Sequence, residues 1–113
     1  MEHLRIEEAV EFSAAKRIRK KLLGSQRIVA ELLCYEPGQS TPVHHHPQQD
    51  EVFYVLEGSG TIFTRNDGTE KETKVEPKSL IFVPSGTQHG LTADSRMVVL
   101  FFKSPATPGT ASA

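Results

Sequence analysis

Residues 38–58 read GQSTPVHHHPQQDEVFYVLEG. In an extended strand, side chains two residues apart point to the same side, so His44 and His46 project together while His45 points away. A turn through Pro47–Gln49 can bring the carboxylate of Glu51 back beside these two imidazoles. Imidazole and carboxylate groups are common ligands of divalent transition metals. The stretch therefore predicts most of a metal site, from which His45 is excluded.

A fourth candidate ligand, His89, follows the turn-forming sequence PSG at residues 84–86. Three imidazoles and one carboxylate suit divalent Mn, Fe, Co, Ni, Cu or Zn. Four protein ligands leave open positions on a metal that prefers six, and these positions accept water, substrate or dioxygen. The predicted site is therefore reactive and not only structural. An exposed loop with adventitious metal affinity is the alternative explanation for three consecutive histidines.

Glycine and proline divide the rest of the chain into short segments rich in β-branched and aromatic residues. The sequence Asn66-Asp67-Gly68 is a strong signal for a hairpin turn. The pattern predicts an all-β sandwich or barrel. The helix candidate at residues 6–16 is weak, because it lacks a clean apolar stripe. The predicted strands cover residues 28–35, 51–56, 61–64, 79–83 and 97–102.

Length and composition limit the classes of protein to consider. The 113 residues fit one domain, and a net charge of −1 gives no general attraction to nucleic acid or to an anionic membrane. The single cysteine, Cys34, rules out an intrachain disulfide. The N-terminus is charged without an apolar core, and no stretch is long and apolar enough to span a bilayer. We therefore expect a cytoplasmic protein.

Two segments of the chain have unusual composition. Residues 16–21 hold five of the 13 lysines and arginines. A nucleic-acid patch would explain this run, but a solvated strand at a sheet edge explains it better, because lysines discourage edge-to-edge aggregation. Residues 104–113 are rich in Pro, Gly, Ser, Thr and Ala, which predicts a flexible tail.

The segment 51–56 is apolar on both faces, and so is the segment 97–102. A strand enclosed in a sandwich would show this pattern, and so would a strand whose outer face meets a second subunit. Together the two segments offer more apolar surface than one small barrel can bury. We therefore predict a homodimer, since closed two-fold pairing is the commonest way to cover such a surface.

The spacing of residues 38–58 resembles the first conserved motif of the cupin superfamily. That motif is a glycine, five residues, His-X-His, three or four residues, a glutamate, six residues and a glycine. Gly38, His44, His46, Glu51 and Gly58 occupy every defining position.

The second cupin motif is matched in part. Pro84, Gly86 and His89 stand at its Pro-X-Gly and histidine positions, but Lys78 replaces its glycine and Ala93 replaces its asparagine. These departures fall on turn and framework positions and not on metal-ligand positions.

The resemblance covers residues 27–103 and implies a small, single-domain, metal-binding cupin. The implied fold is a conical antiparallel β-barrel (double-stranded β-helix, or jelly roll) of six to eight strands. It would hold one divalent transition metal per chain with the side chains of His44, His46, Glu51 and His89. We divide the chain into an N-terminal strand or arm at 1–25 that packs on the barrel, a cupin barrel at 26–103 and the flexible tail at 104–113.

Similar short cupins include dioxygenases, isomerases, epimerases, lyases, decarboxylases and small-molecule binders that catalyse nothing. Because the implied site has vacant coordination positions, we predict a metal-dependent enzyme, with an oxygenase acting on a small oxygen-rich or aromatic molecule as the leading subclass. A redox-neutral lyase or isomerase and a non-catalytic binding module are the alternatives. No separate general base is identifiable. The candidates for the pocket wall are Cys34, Tyr35, Gln48, Gln49, Tyr54 and Gln88.

Overall fold

The computed structural model describes residues 1–106, which form nine strands and one 3₁₀ turn at Ile6–Glu8. The all-β prediction is confirmed, and the strand count exceeds the six to eight that the resemblance implies. The strands are β1 (Ile18–Gly24), β2 (Val29–Tyr35), β3 (Ser40–His44), β4 (Asp50–Glu57), β5 (Gly60–Asn66), β6 (Thr69–Val75), β7 (Leu80–Val83), β8 (Gln88–Ala93) and β9 (Met97–Ser104).

The strands form two antiparallel sheets in a jelly-roll arrangement. One sheet has the order β1-β2-β9-β4-β7, and the other has the order β3-β8-β5-β6. The predicted hairpin turn at Asn66-Asp67-Gly68 connects β5 to β6. Strand β6 has the sequence TEKETKV and is exposed along its length except at Val75, so apolar periodicity did not reveal it. It forms because the hairpin turn aligns it with β5.

The main core lies between the two sheets. Burial alternates along strand β4. Phe53 and Val55 are buried against the opposite sheet, while Val52 and Tyr54 are only partly buried on the outer side. Such alternation is the signature of a strand with one face on the core. The core consists of Leu33, Tyr35, Phe53, Val55, Ile62, Val75, Val83, Leu91, Ala93, Met97, Val99 and Phe101.

The N-terminal segment forms one 3₁₀ turn and no α-helix, so the weak helix candidate at residues 6–16 does not form a helix. The segment instead crosses the outer face of the five-stranded sheet. There its apolar residues pack against Leu32, Cys34 and Val98, which form a second buried cluster. The covering side chains of this segment are Ile6, Ala9, Val10 and Phe12.

Lys78 and Ala93, the two departures from the second cupin motif, both make backbone hydrogen bonds. Lys78 has a φ of 75°, in the left-handed region that glycine adopts most easily. Its N–H still donates a hydrogen bond to the Val55 carbonyl at 2.8 Å. Ala93 is buried in the main core, where its N–H donates to the Gln39 carbonyl at 3.0 Å.

The segment after β9 follows the barrel for two described residues. The Gln49 side chain donates to the carbonyls of Pro105 and Ala106 at 2.9 and 3.1 Å, and the Ser104 hydroxyl donates to the Arg27 carbonyl at 2.8 Å. The remainder of the predicted tail, residues 107–113, lies outside the described residues. From residue 1 to 106, no helix has the length and apolar character needed to cross a bilayer.

Candidate metal centre

Three of the four predicted ligands meet between the sheets. His44 is the last residue of β3 and lies directly opposite His89 on β8, while Glu51 projects from β4 in the other sheet. One potential ligand atom from each of these residues lies within 4.8 Å of the other two. The group draws on both sheets, and these residues can hold one metal ion.

His46 stands at the margin of this group, just beyond the end of β3. Its Nε2 atom is 3.1 Å from Oε1 of Glu51, and its ring centroid is 4.8 Å from that of His44 but 6.1 Å from that of His89. His45 is exposed to solvent. The structure therefore places His46 close to the carboxylate without drawing it into the tight three-residue group.

Backbone carbonyls orient two of the imidazoles. Nδ1 of His44 lies 2.8 Å from the Pro42 carbonyl oxygen, and Nδ1 of His89 lies 3.0 Å from the Thr87 carbonyl oxygen. When Nδ1–H donates to such a carbonyl, Nε2 of the neutral ring carries the lone pair. This is the arrangement by which proteins orient histidine ligands of metals.

The Glu51 carboxylate is 3% exposed and incompletely satisfied by hydrogen bonds. Its Oε2 lies 3.2 Å from Nε2 of His89, but within residues 1–106 its buried Oε1 has no hydrogen-bond partner. The His46 ring nitrogen is near Oε1 but lacks the geometry of a hydrogen bond. A buried carboxylate oxygen without a partner is costly, and a cation bound beside it would satisfy it. The residues present therefore fit a divalent metal ion.

The charges of the ligands influence one another. Burial alone would raise the pKa of Glu51, but the hydrogen bond from His89 and the positive charge of the neighbouring imidazoles lower it below its usual value. Burial alone would lower the pKa of His89, and its bonds to Glu51 and Thr87 raise it above the usual value. Burial lowers the pKa of His44 and of His46. Without metal, the site therefore favours an ion pair between Glu51 and protonated His89.

Hydrogen bonds connect the loops that carry the ligands. The Gly86 N–H donates to the His46 carbonyl at 3.1 Å, and the Ser85 N–H donates to the Asp50 carboxylate at 2.9 Å. These bonds hold the turn before His89 against the loop that carries His46. Gln49, buried beside Glu51, binds the segment after β9 and not the cavity.

A cavity of about 260 Å³ opens beside the ligands. This is near the lower end of the size range of small-molecule sites. Of the six pocket-wall candidates named from the sequence, Tyr35 is among the described residues that line the cavity, and the other five are not. Cys34 belongs to the outer cluster beneath the N-terminal segment. The apolar wall consists of Leu33, Phe53, Ile62, Leu91 and Phe101.

Tyr35 lies deep in this wall and its hydroxyl is 2.8 Å from that of Thr41. Burial raises the pKa of Tyr35 to about 12, so the phenol stays protonated near neutral pH. The remaining titratable residues on the wall, within residues 1–106, are the candidate ligands and three cationic side chains. This part of the chain thus provides no general base apart from the ligand groups.

The three cationic residues, Arg17, Arg19 and Lys103, are the cavity residues that sequence reasoning missed. The basic run lies at the start of edge strand β1, as its composition predicts. Within the run, however, Arg17 and Arg19 face the cavity, whereas Lys20 pairs with Glu11 at 2.8 Å. Side-chain alternation predicts that Arg17 and Arg19 share one face and that Lys20 lies on the other. The sequence does not show which of these faces points toward the cavity.

Comparison with known proteins identifies the family of this chain. The family model of the cupin domain matches residues 31–103. Auxin-binding protein 1 of Arabidopsis thaliana is 33% identical over 73 residues, which are 60% of this chain and 36% of that protein. The tetracenomycin polyketide synthase protein TcmJ of Streptomyces glaucescens is 32% identical over 74 residues, which are 64% of this chain and 47% of that protein.

Solved structures show that the likeness extends to the whole fold. The crystal structure of TT1209 from Thermus thermophilus superposes with a TM-score of 0.84 at 26% identity, covering 93% of this chain and 98% of that one. The matches to curated relatives, by contrast, span between 36% and 50% of the length of those proteins.

Proposed function

The chain belongs to the cupin family, and from this membership and the geometry of the site we propose that it is a metal-dependent enzyme of the oxygenase type. The substrate would be a small oxygen-rich or aromatic molecule. The observation that carries the proposal is the group formed by His44, Glu51 and His89 on the wall of a cavity of small-molecule size. The kinship with a polyketide synthase protein supports an oxygen-rich substrate.

In this proposal His44, His46, Glu51 and His89 hold one divalent ion per chain, drawn from Fe, Mn, Ni, Zn, Co and Cu. A redox-active ion held there would supply the electron exchange that dioxygen needs to react with an organic molecule. The protein's own part is to place the substrate. The apolar wall excludes water, and one carboxylate among three neutral imidazoles leaves positive charge for an anionic or enolate-like oxygen.

An oxygen electrode provides the test. Protein loaded with Fe(II) or Mn(II) should consume oxygen with at least one member of a panel of diketones, catechols and flavonols. The His45→Ala variant, which removes an exposed imidazole, should do so equally well. Absence of metal-dependent oxygen uptake across the panel, together with turnover of a substrate under anaerobic conditions, would establish a redox-neutral lyase or isomerase instead.

A binding function without catalysis is the second candidate, and the similarity to auxin-binding proteins favours it. In that case the metal would hold an oxygen atom of the ligand and the cavity would enclose its apolar part. Saturable binding that leaves the ligand chemically unchanged, both in air and under anaerobic conditions, would support this function.

The cytoplasmic location inferred from the sequence stays a prediction.

Metal binding should release a proton from His89. Because the pKa of His89 is raised, its imidazole holds a proton more readily than an ordinary histidine, and it must lose that proton to bind a metal. We expect a net release of protons on metal binding at pH 6.5, and weaker metal binding as the pH falls further. Calorimetric titration with Zn²⁺ in two buffers of different ionisation enthalpy measures this release. Equal heats in both buffers would contradict the prediction.

We propose that the chain forms a homodimer through the outer apolar face, defined as Val52, Tyr54, Leu80, Phe82 and Phe102. Leu80 and Phe82 are 71% and 62% exposed, and both lie on β7 at the edge of the five-stranded sheet. Val52 lies between Phe82 and Phe102 in the register of the sheet. The N-terminal segment covers a different part of this sheet surface, around Leu32, Cys34 and Val98.

The Phe82→Glu variant should therefore be monomeric, whereas the wild type should have twice the 12.5 kDa mass of one chain. A glutamate in the centre of an apolar interface would be buried without a partner, which opposes association. Light scattering at micromolar concentration measures the mass. The control is Val43→Glu, an exposed position on the other sheet, which should stay dimeric. A monomeric wild type would rule out the dimer.

A further inference from the structure

Three cationic side chains line the same cavity as the candidate metal ligands. Arg17 immediately precedes β1, Arg19 lies in β1, and Lys103 lies in β9, directly beside Glu51 in the sheet register. Arg19 and Lys103 therefore belong to the five-stranded sheet, as Glu51 does, whereas His44 and His89 belong to the four-stranded sheet. The cavity wall thus combines these cations with the candidate metal ligands and with apolar side chains.

A buried carboxylate, Glu31, neutralises only part of this charge. Arg19 donates to it with Nε at 2.7 Å and with a terminal nitrogen at 3.2 Å, and Lys103 Nζ lies 3.1 Å from its Oε2. Glu31 is 6% exposed and Lys103 is 8% exposed. Two cations thus share one carboxylate. Within residues 1–106, Glu51 is the one carboxylate that lines the cavity, and with Glu31 counted as well the three cations still leave an excess of positive charge.

The excess positive charge resides on Arg17. In the described part of the chain, no carboxylate pairs with its guanidinium and no hydrogen bond from its side chain is formed. The residue is half-buried and lines both the cavity and a second groove, which residues 16–19 and 38–40 form. An unpaired guanidinium beside an apolar cavity is suited to bind a carboxylate, because its planar fork matches the two oxygens.

We propose that Arg17, supported by Arg19 and Lys103, forms an anion subsite that binds the carboxylate of a small organic acid whose apolar part fills the cavity. This inference deepens the proposed function, on which it rests, by naming the class of ligand. The apolar part would lie against Phe53 and Phe101, whose rings stack with centroids 5.4 Å apart. A second polar group of the same molecule would then bind the metal through its oxygen.

The test compares two probes of the same shape, 3-phenylpropanoate and 3-phenylpropanamide, by calorimetry on metal-free and Zn²⁺-loaded protein. The wild type should bind the carboxylate more tightly than the amide in both states. The Arg17→Gln variant should lose about tenfold or more in affinity for the carboxylate, the effect of one charge-assisted hydrogen bond, and keep its affinity for the amide. The matched control is Lys20→Gln, which removes the same charge from the outward face of β1 and should change neither affinity.

Equal binding of the carboxylate by wild type and Arg17→Gln would overturn the proposal. So would carboxylate binding that requires Zn²⁺, because the metal would then be the anion site. Should Arg17→Gln fail to fold, the wild type provides a second measurement: added salt should weaken binding of the carboxylate and not of the amide. The assay involves neither oxygen nor turnover. A negative oxygen-uptake experiment would therefore refute the oxygenase proposal while the anion subsite stands or falls separately.

Discussion

The His46→Ala variant is expected to lose at least about 100-fold in metal affinity, because removal of a ligand costs more than removal of a group that only orients one. His46 is the imidazole nearest Oε1 of Glu51, at 3.1 Å. Without the His46 imidazole, Oε1 of Glu51 loses this neighbouring nitrogen, and only His44, Glu51 and His89 remain as candidate ligands. Competition with a chromophoric chelator measures the affinity, and the metal content after dialysis gives the stoichiometry.

The matched control is His45→Ala, which removes an imidazole from the adjacent residue. Its side chain is exposed, so we expect its metal affinity to stay close to that of the wild type. Equal losses in the two variants would contradict the strand alternation argument. An unchanged affinity in His46→Ala would show that the three-residue group alone binds the metal.

Gly58→Ala should destabilise the fold by roughly 2–5 kcal/mol, the sum of a left-handed backbone penalty and of overpacking. Gly58 has a φ of 79°, and a Cβ there would lie 2.0 Å from the Arg96 carbonyl oxygen and 2.8 Å from Cα of Met97. Neither atom belongs to a flexible side chain, so the loop after β4 or the start of β9 must move. Urea unfolding measures the change in the free energy of unfolding.

Gly68→Ala separates the two contributions. Gly68 has nearly the same φ, 78°, but no atom lies within 4 Å of the position of its added Cβ. This variant should therefore lose only the backbone part, about 1–2 kcal/mol. Equal losses in Gly58→Ala and Gly68→Ala would show that close packing against Arg96 contributes nothing.

Much of the fold could be predicted because its signals are local. Runs rich in β-branched and aromatic residues placed β2, β4 and β9 within two residues of their observed bounds, and Asn66-Asp67-Gly68 placed the hairpin turn. Strand β6 and the N-terminal segment lacked such signals. Strand β6 is charged and forms through its pairing with β5. The N-terminal segment packs its apolar residues on a sheet without forming a helix.

For the candidate site, the sequence by itself determined which residues are close to one another along the chain. Strand alternation predicts that His44 and His46 project to one side and His45 to the other, although β3 itself ends at His44. The motif spacing added Glu51 and His89. In the structure His45 is exposed, and His44, Glu51 and His89 each offer a ligand atom within 4.8 Å of the others.

The tertiary structure alone decided what surrounds these residues. Lys103 lies beside Glu51, and Arg19 meets Glu31, only because β9 pairs with β4 and β1 pairs with β2 in one particular register. A shift of one residue would turn these cations to the outer face. Register between strands far apart in the chain depends on the packing of the whole core, which no short stretch of sequence encodes. The charge that faces the metal centre, and with it the class of ligand, therefore depends on the assembled sheets.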